Sequence, residues 1–185
     1  MSDTKDLEHT DAFYTQLFSK AWVTMAIIAG LSVISLWVVP VLKGHVWLSW
    51  SILVFAMIKT FFIVRLSFDQ LMKIIGQSHL LSHILVLFGL LISLIIISFA
   101  IDFTSLYHFN DSNFKSEQYI DGMELAVFLE YLYFSTITFS SVGYGDIVPS
   151  SILSKTLVML EVALRFFVLV FGIANINQIR INNED

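Results

Sequence analysis

Four long apolar stretches dominate this chain and determine the solvent in which it folds. They lie at Ala21–Leu42, Val46–Val64, Leu80–Ile101 and Ile152–Ile173. A helix needs about 20 apolar residues to cross the hydrocarbon core of a bilayer, so each stretch is long enough to span a membrane. Because lipid offers no hydrogen-bond partners, such segments fold as helices that satisfy their own backbone groups. The sequence therefore predicts an all-α membrane protein with four transmembrane helices.

The composition agrees with a membrane environment. Hydrophobic residues make up 57% of the 185-residue chain and charged residues only 14%, whereas an ordinary soluble domain carries about 25% charged residues. The formal net charge of −5 gives no reason to propose nucleic-acid binding. The absence of cysteine excludes disulfides and thiolate metal sites. Since the motifs of zinc proteases, serine hydrolases and phosphate-binding loops are also absent, we predict no enzyme activity, no small-molecule substrate and no cofactor.

The segment between the third and fourth stretches contains a different kind of apolar element. Met123–Ser140 is rich in aromatic residues, but it is only 18 residues long and carries Glu124 and Glu130 near its start. It therefore fits a shorter helix that enters the membrane part-way better than it fits a fifth span. The run V-G-Y-G at 142–145 follows directly. Non-helical backbone at membrane depth is tolerated where it is buried in protein or lines a water-filled cavity, and this run meets that condition after a re-entrant helix.

The two glycines of this run bracket a tyrosine, and glycine tolerates backbone conformations that are closed to other residues. A Gly-Tyr-Gly run can therefore turn successive carbonyl oxygens toward one central axis. Such a ladder, repeated by symmetry, can replace the water shell of a dehydrated potassium ion. The predicted ion-binding residues are Ser141, Val142, Gly143, Tyr144 and Gly145. The alternative for the run taken alone is a glycine-rich turn between two membrane helices.

Taken together, these pieces give the chain a pore loop that resembles the pore module of tetrameric potassium channels. The resemblance rests on the third and fourth spans, the pore helix Tyr131–Ser140, the run S-V-G-Y-G-D at 141–146 and Pro149, and it covers roughly Leu80–Asn175. It implies a homotetramer, because a filter needs four strands around one axis. It also implies passive conduction with potassium as the permeant ion, a filter near the outer face of the cell membrane, and cytoplasmic termini.

The resemblance assigns roles to residues around the filter. Tyr133 and Phe134 would brace Tyr144, and Asp146 would tie the outer end of the filter to its surroundings. Ser141 stands where the family usually has threonine, so it keeps the hydroxyl oxygen but loses a methyl group and some stiffness. A cation channel with relaxed selectivity is therefore one alternative, and a non-conducting membrane scaffold or regulatory subunit is another.

The predicted organisation places the pore module after two further helices. Its parts are a cytoplasmic N-terminal segment (1–20), two peripheral transmembrane helices (21–66), an amphipathic linker (67–79), the pore module (80–175) and a short cytoplasmic tail (176–185). Five bases then lie inside and three outside, in weak agreement with the positive-inside rule. Seven acids from Asp102 to Asp146 would lie outside, where they either raise the local cation concentration or simply face solvent.

Charged residues inside the spans need partners, because an ionisable side chain at the bilayer centre costs about 2.5–3.5 kcal/mol on insertion scales. Glu161 and Arg165 are spaced i, i+4 and form a candidate intramembrane pair, either a plain ion pair or part of a network behind the pore helix. Lys59 would snorkel or pair. Arg165 also occupies roughly the place of a hinge glycine in the family, whereas the nearest glycine here is Gly172, so the hinge assignment does not transfer.

Two features receive no functional assignment. Lys59 and Arg65 are too few for steep voltage dependence, which needs about three or four charges per subunit, so the first two spans are predicted to be packing helices. His79 and His83 also lie at i, i+4. Two imidazoles without a third ligand are a weak metal signal, and we expect a structural role for them.

Overall fold

The computed structural model describes residues 22–36, 46–77, 81–116 and 123–181 of the chain. Five α-helices, a single 3-10 turn and two short strands make up this part of the molecule. The elements are α1 (Trp22–Leu36), α2 (Val46–Gln77), α3 (Leu81–Phe109), a 3-10 turn (Asp111–Asn113), β1 (Phe114–Ser116), α4 (Glu124–Phe139), β2 (Ile147–Pro149) and α5 (Ile152–Ile181). The predicted helical class is confirmed.

Two of the helices are long and apolar enough to cross a membrane by length and composition. These segments are Trp50–Phe68 of α2 and Phe88–Phe109 of α3. α1 is apolar but is described over a shorter length, and α5 has 30 residues, which makes it about 45 Å long and longer than a bilayer core. Because α5 carries Lys155, Glu161 and Arg165, it is not a purely apolar span. Membrane crossing by α1 and α5 therefore stays a prediction.

The amphipathic linker predicted at 67–79 is not a separate helix where the structure describes it. α2 continues without a break as far as Gln77, because the sequence offers neither proline nor glycine between Val46 and Ile75 that would end it. Within this extension, the ring of Phe68 packs against Phe167 and Phe171 of α5, with ring centroids 5.5 and 4.7 Å apart. The lower part of α2 therefore contacts α5 directly.

α3 is the central helix of the bundle. It packs against α2, α4 and α5, as expected for a helix that is apolar on nearly every side. Its buried residues recur at helical spacing and join one hydrophobic cluster with residues of the other helices. From α3 these are Ile95, Phe99, Phe103 and Leu106. Phe103 contacts Phe134 of α4, with ring centroids 5.0 Å apart, so the cluster fixes α4 against α3.

A two-stranded ribbon that the sequence did not predict joins the segments on either side of α4. β1 and β2 run antiparallel, with Phe114 opposite Pro149 and Ser116 opposite Ile147. The buried Asn113 reinforces this connection. Its side-chain amide donates to the carbonyl oxygens of Leu106 (3.0 Å) and Asn110 (2.8 Å), and its own carbonyl accepts from the backbone N–H of Ser150 at 2.9 Å. The end of α3 is thereby fastened to the chain that follows 141–146.

Candidate functional site: the pore loop

The candidate site begins where α4 ends. The backbone N–H of Ser141 donates to the Thr138 carbonyl (3.0 Å), and that of Val142 donates to the Ile137 carbonyl (2.9 Å). With Ser141 at φ +59°, these two bonds form a Schellman motif, which ends a helix through one residue in the left-handed region. That residue is usually glycine, and a serine there carries backbone strain of the kind that gathers at functional sites. α4 therefore passes into the following loop through a strained but fully bonded turn.

The backbone of this loop alternates in handedness from residue to residue. Ser141, Gly143 and Gly145 have φ of +59°, +56° and +84°, whereas Val142 and Tyr144 are not in the positive-φ region. When left-handed and right-handed residues alternate, successive N–H groups point to one side of the chain and the carbonyl oxygens are left on the other. A Cβ added at Gly143 or Gly145 would meet nothing within 4 Å. These glycines are therefore needed for their conformation and not for space.

The loop is uncovered within its own chain. Val142 is 51% exposed and Tyr144 is 72% exposed. Phe134 is buried against Phe103, Phe114 and Tyr131, and its predicted bracing of Tyr144 stays a prediction. Phe134 supports the loop indirectly by anchoring α4. Among the described residues, Tyr144 therefore stays largely uncovered.

Tyr133 and Asp146, two of the predicted support residues, lie in direct contact. The Tyr133 hydroxyl donates to a carboxylate oxygen of Asp146 at 2.6 Å, and the other oxygen accepts from the backbone N–H of Ile147 at 3.0 Å. The bond from Tyr133 holds the pKa of Asp146 below its usual range. The same carboxylate raises the pKa of Tyr133 to about 12. This contact ties the outer end of the loop to α4.

Behind α4, Glu161 contacts the pore helix and not Arg165. One Glu161 oxygen lies 2.5 Å from the Ser135 hydroxyl, which is also 2.9 Å from the Ile96 carbonyl. The second Glu161 oxygen has no hydrogen-bond partner in the described part of the chain. The Arg165 guanidinium instead lies 5.2 Å from the centre of the Phe166 ring. The predicted Glu161–Arg165 ion pair is therefore not formed, because Ser135 occupies the position next to the carboxyl group.

Lys59 pairs with Asp102 in the interior. The Lys59 ammonium lies 2.5 Å from a carboxylate oxygen of Asp102, with both side chains only 1% exposed. It also donates to the Ser32 hydroxyl at 3.2 Å and to the Ser98 carbonyl at 3.4 Å. Of the two alternatives for Lys59, pairing is correct. The placement of Asp102 among the acids outside the membrane was wrong, since Asp102 is a buried residue of α3.

Other predicted features lie outside this site. Nothing is described of the side chains of His79 and His83, so their expected role stays a prediction. Gly172 of α5 packs against α3, because a Cβ there would come within 2.9 Å of the Phe88 ring. In the described residues, His, Asp and Glu do not gather in groups of three or more that could hold a metal. The backbone oxygens of the loop are therefore the candidate cation ligands.

A short helix that ends in a loop with alternating signs of φ, set between two long helices, is the arrangement expected of a pore loop in a membrane channel. Residues 89–181 match the family model described as "Ion channel", and the chain belongs to this ion channel family. It is also similar to two-pore potassium channel 4 of Arabidopsis thaliana, with 50% identity over 42 residues. That match covers 23% of this chain and 15% of the relative, so the chain spans a small part of the relative's length. No solved structure matches the chain significantly.

Proposed function

We propose that this chain is the subunit of a potassium-selective channel that conducts passively through backbone carbonyl oxygens. The observation that carries the proposal is the alternation of backbone handedness from Ser141 to Gly145. We infer that this alternation turns the carbonyl oxygens of successive residues to the same side of the chain, as a ladder of ion ligands requires. Rings of carbonyl oxygens of this kind take the place of the hydration shell of potassium. The similarity to an Arabidopsis protein named as a potassium channel supports the same ion.

The proposed ion ligands are the oxygens of Ser141, Val142, Gly143, Tyr144 and Gly145. α4 contributes to the same site through its helix dipole. The C-terminus of a helix carries partial negative charge, and the C-terminus of α4 lies directly before Ser141. A cation next to that end would be stabilised before it enters the filter. Potassium is thus the transported ion, and we propose no further cofactor.

Four copies of the chain are needed to complete such a filter. One loop supplies one side of the ion's coordination shell, and this loop is exposed in its own chain. α5 also presents an unpartnered apolar stripe at helical spacing. Its most exposed members are Ile152, Met159, Phe166 and Val170. We therefore propose a homotetramer in which α5 and the loop face the neighbouring subunits and the pore, and Tyr144 packs against a neighbouring subunit.

The proposed organisation follows the predicted boundaries. Residues 80–175 form the pore module and residues 21–66 supply two peripheral helices, which the buried Lys59–Asp102 pair joins to the module. Asp111, in the 3-10 turn between α3 and β1, lies on the same side as the outer end of the loop, since β1 and β2 pair there. With an even number of spans, both termini lie on the opposite, cytoplasmic side of the cell membrane.

A channel with relaxed cation selectivity is the second candidate. Ser141 adopts φ +59° without the β-branch that would restrict its side-chain rotamers. Its hydroxyl is therefore less fixed than a threonine hydroxyl would be. A non-conducting scaffold would keep the same fold but transport no ion.

Ion flux into liposomes separates these candidates. The full chain is reconstituted, and potassium uptake is compared with sodium uptake while native mass spectrometry reports the number of subunits. Potassium flux well above sodium flux from a tetramer supports the proposal. Equal fluxes favour relaxed selectivity, no flux from a tetramer favours the scaffold, and the absence of a tetramer excludes the channel.

Two glycine substitutions provide a matched pair for the same assay. A Cβ at Gly143 or at Gly89 meets nothing within 4 Å, but only Gly143 has a positive φ of +56°. Gly143→Ala is expected to abolish selective flux because alanine disfavours that conformation. Gly89→Ala, on the helix α3, is expected to leave flux unchanged. Equal behaviour of the two variants would contradict the carbonyl ladder.

A further inference from the structure

A buried polar cluster lies on the face of α4 that packs against α3 and α5. It consists of the Ser135 hydroxyl, the Glu161 carboxyl group and the Ile96 carbonyl, and Glu161 is 0% exposed. We propose that Glu161 holds a proton at neutral pH and donates it to Ser135, and that loss of this proton in alkaline solution displaces the pore helix and reduces conduction. The second half of this proposal rests on the proposed channel function.

The number of hydrogen atoms needed for the contacts of Ser135 supports a neutral Glu161. The Ser135 hydroxyl lies within hydrogen-bond distance of two acceptors, an oxygen of Glu161 at 2.5 Å and the Ile96 carbonyl at 2.9 Å. A serine hydroxyl carries a single hydrogen and can donate only once, while a protonated carboxyl group is itself a donor. If Glu161 is protonated, it donates to Ser135, and Ser135 donates to Ile96. Both short contacts then contain a hydrogen atom.

Within the described part of the chain, no ion pair neutralises an ionised Glu161. Its second oxygen has no hydrogen-bond partner among the described residues. Lys59 is already held at 2.5 Å by Asp102, and Arg165 lies over the Phe166 ring. A buried carboxylate with neither a charged partner nor a full set of donors is strongly disfavoured relative to the neutral acid.

Of the charged and polar groups on the helices around Glu161, Asp102 on α3 acts against its ionisation, because Asp102 carries a negative charge. Lys59 on α2 is already paired with this same Asp102. α4 presents the phenol of Tyr131, one turn before Ser135 on the same buried face. Arg165 lies one turn further along α5. A second negative charge at Glu161 would leave two carboxylates facing one lysine.

The cluster is close enough to the filter to influence it. Ser135 lies on α4 between Tyr133, which holds Asp146, and the Schellman turn that begins the filter. If Glu161 ionises, water must enter or the two carboxylates must separate, and either change shifts α4 against α3. Because both ends of the filter are bonded to α4, its geometry follows that shift.

Infrared spectroscopy tests the proton directly, whether or not the protein conducts. The full chain in lipid is expected to show the carbonyl band of a protonated carboxylic acid at neutral pH. Glu161→Gln should remove that band, Ser135→Ala should shift it as its hydrogen bond is lost, and Glu124→Gln at the exposed start of α4 should leave it unchanged. A spectrum without this band, or a band that neither variant alters, would overturn the assignment.

Potassium flux against pH tests the consequence. Wild-type flux should fall over the pH range in which the infrared band disappears, and Glu161→Gln, a neutral donor of similar size, should hold at least half of the neutral flux across that range. Wild-type flux that stays constant while the band disappears would overturn the coupling to conduction. Absence of potassium flux at every pH would overturn the proposed function and this coupling, while the infrared result would still decide the protonation of Glu161.

Discussion

The ammonium of Lys59 and a carboxylate oxygen of Asp102 lie 2.5 Å apart in the interior of the bundle, 43 residues apart in sequence. This contact joins α2 to α3, and the bond from Lys59 to Ser32 extends it to α1. The two peripheral helices are therefore attached to the pore module through a charge pair that lipid makes costly to separate. Attachment by apolar packing alone would allow the helices to slide.

Breaking this pair is expected to destabilise the protein strongly. Removal of one partner of a buried ion pair typically costs about 3–5 kcal/mol, because the other charge is left uncompensated. Lys59→Met and Asp102→Leu should each lower the thermal stability of the assembly in detergent, and the double variant should recover most of the loss. Lys155→Met, an exposed position of α5, is the control and should change little. Single variants that are no less stable than the control would show that the pair is not formed.

The bond between Tyr133 and Asp146 predicts how acid and alkali act on the outer end of the filter. The pKa of Asp146 lies below its ordinary value of 3.8, so the stabilisation is present above that value and is lost as the pH falls through the lower folded pKa. The pKa of Tyr133 is raised from 10.0 to about 12, so the stabilisation is complete below 10 and is lost as the pH rises through about 12. The contribution of this one bond to filter stability should be constant between these limits.

Tyr133→Phe is expected to remove this protection. At neutral pH, its potassium flux in liposomes should decline sooner than that of the wild type. When the pH is lowered, the flux of the variant should be lost at a higher pH than the flux of the wild type. Asp146→Asn should behave similarly, and the double variant should add nothing to either single variant because both remove the same bond. Additive losses from the two substitutions would mean that each residue acts through a separate contact.

Ser141 is expected to limit the selectivity of the filter. Threonine at this position keeps the hydroxyl and stiffens its rotamer, so Ser141→Thr should raise the ratio of potassium to sodium flux. Ser141→Ala removes the innermost hydroxyl oxygen and should lower that ratio while the tetramer remains intact. Thr138→Ser, on the last turn of α4, is the control. It removes a methyl group next to the filter, whereas Ser141→Thr adds one. An unchanged ratio in both Ser141 variants would exclude the hydroxyl as an ion ligand.

Gly172 should tolerate no larger residue without a matching change in α3. A methyl group there meets the Phe88 ring at 2.9 and 3.0 Å, and overpacking of this kind costs about 1–3 kcal/mol. Gly172→Ala should therefore lower the thermal stability, and Phe88→Leu in the same chain should restore it. Gly89→Ala has open space and a helical backbone, so it should be neutral or slightly stabilising. A Gly172→Ala variant as stable as the wild type would show that the ring moves aside freely.

Structural features that depend on residues close together in the sequence were predictable. The length and composition of the apolar stretches predicted α2 and α3, and the change from aromatic residues to V-G-Y-G predicted the end of the pore helix within one residue of Phe139. The positive φ values at Gly143 and Gly145 follow from the freedom of glycine. The helical extension of α2 was not predicted, because the segment 67–79 was expected to form a separate linker although no residue in it before Gly76 would end the helix.

Contacts between residues distant in sequence were not predictable in the same way. The spacing of Glu161 and Arg165 suggested a pair on one helix, but the packing of α4 against α5 brought Ser135 to the carboxyl group first. Asp102 was grouped with acids near it in sequence, whereas its partner Lys59 lies on another helix. The β1–β2 ribbon depends on residues on both sides of α4 meeting in register, and three-residue strands leave no periodic pattern to detect.

This ribbon makes the pore loop a closed unit. The segment from Phe114 to Pro149 starts and ends at paired strands, so the pore helix and the filter lie within one closed loop of backbone. A hydrogen bond between Asn113 and Ser150 joins the two ends of this loop. This hydrogen bond would resist a movement of α5 before that movement reached the outer end of the filter. If the chain is the proposed channel, this fastening would let α5 bend while the loop keeps its shape, so that ion selection and movement would reside in different parts of the subunit.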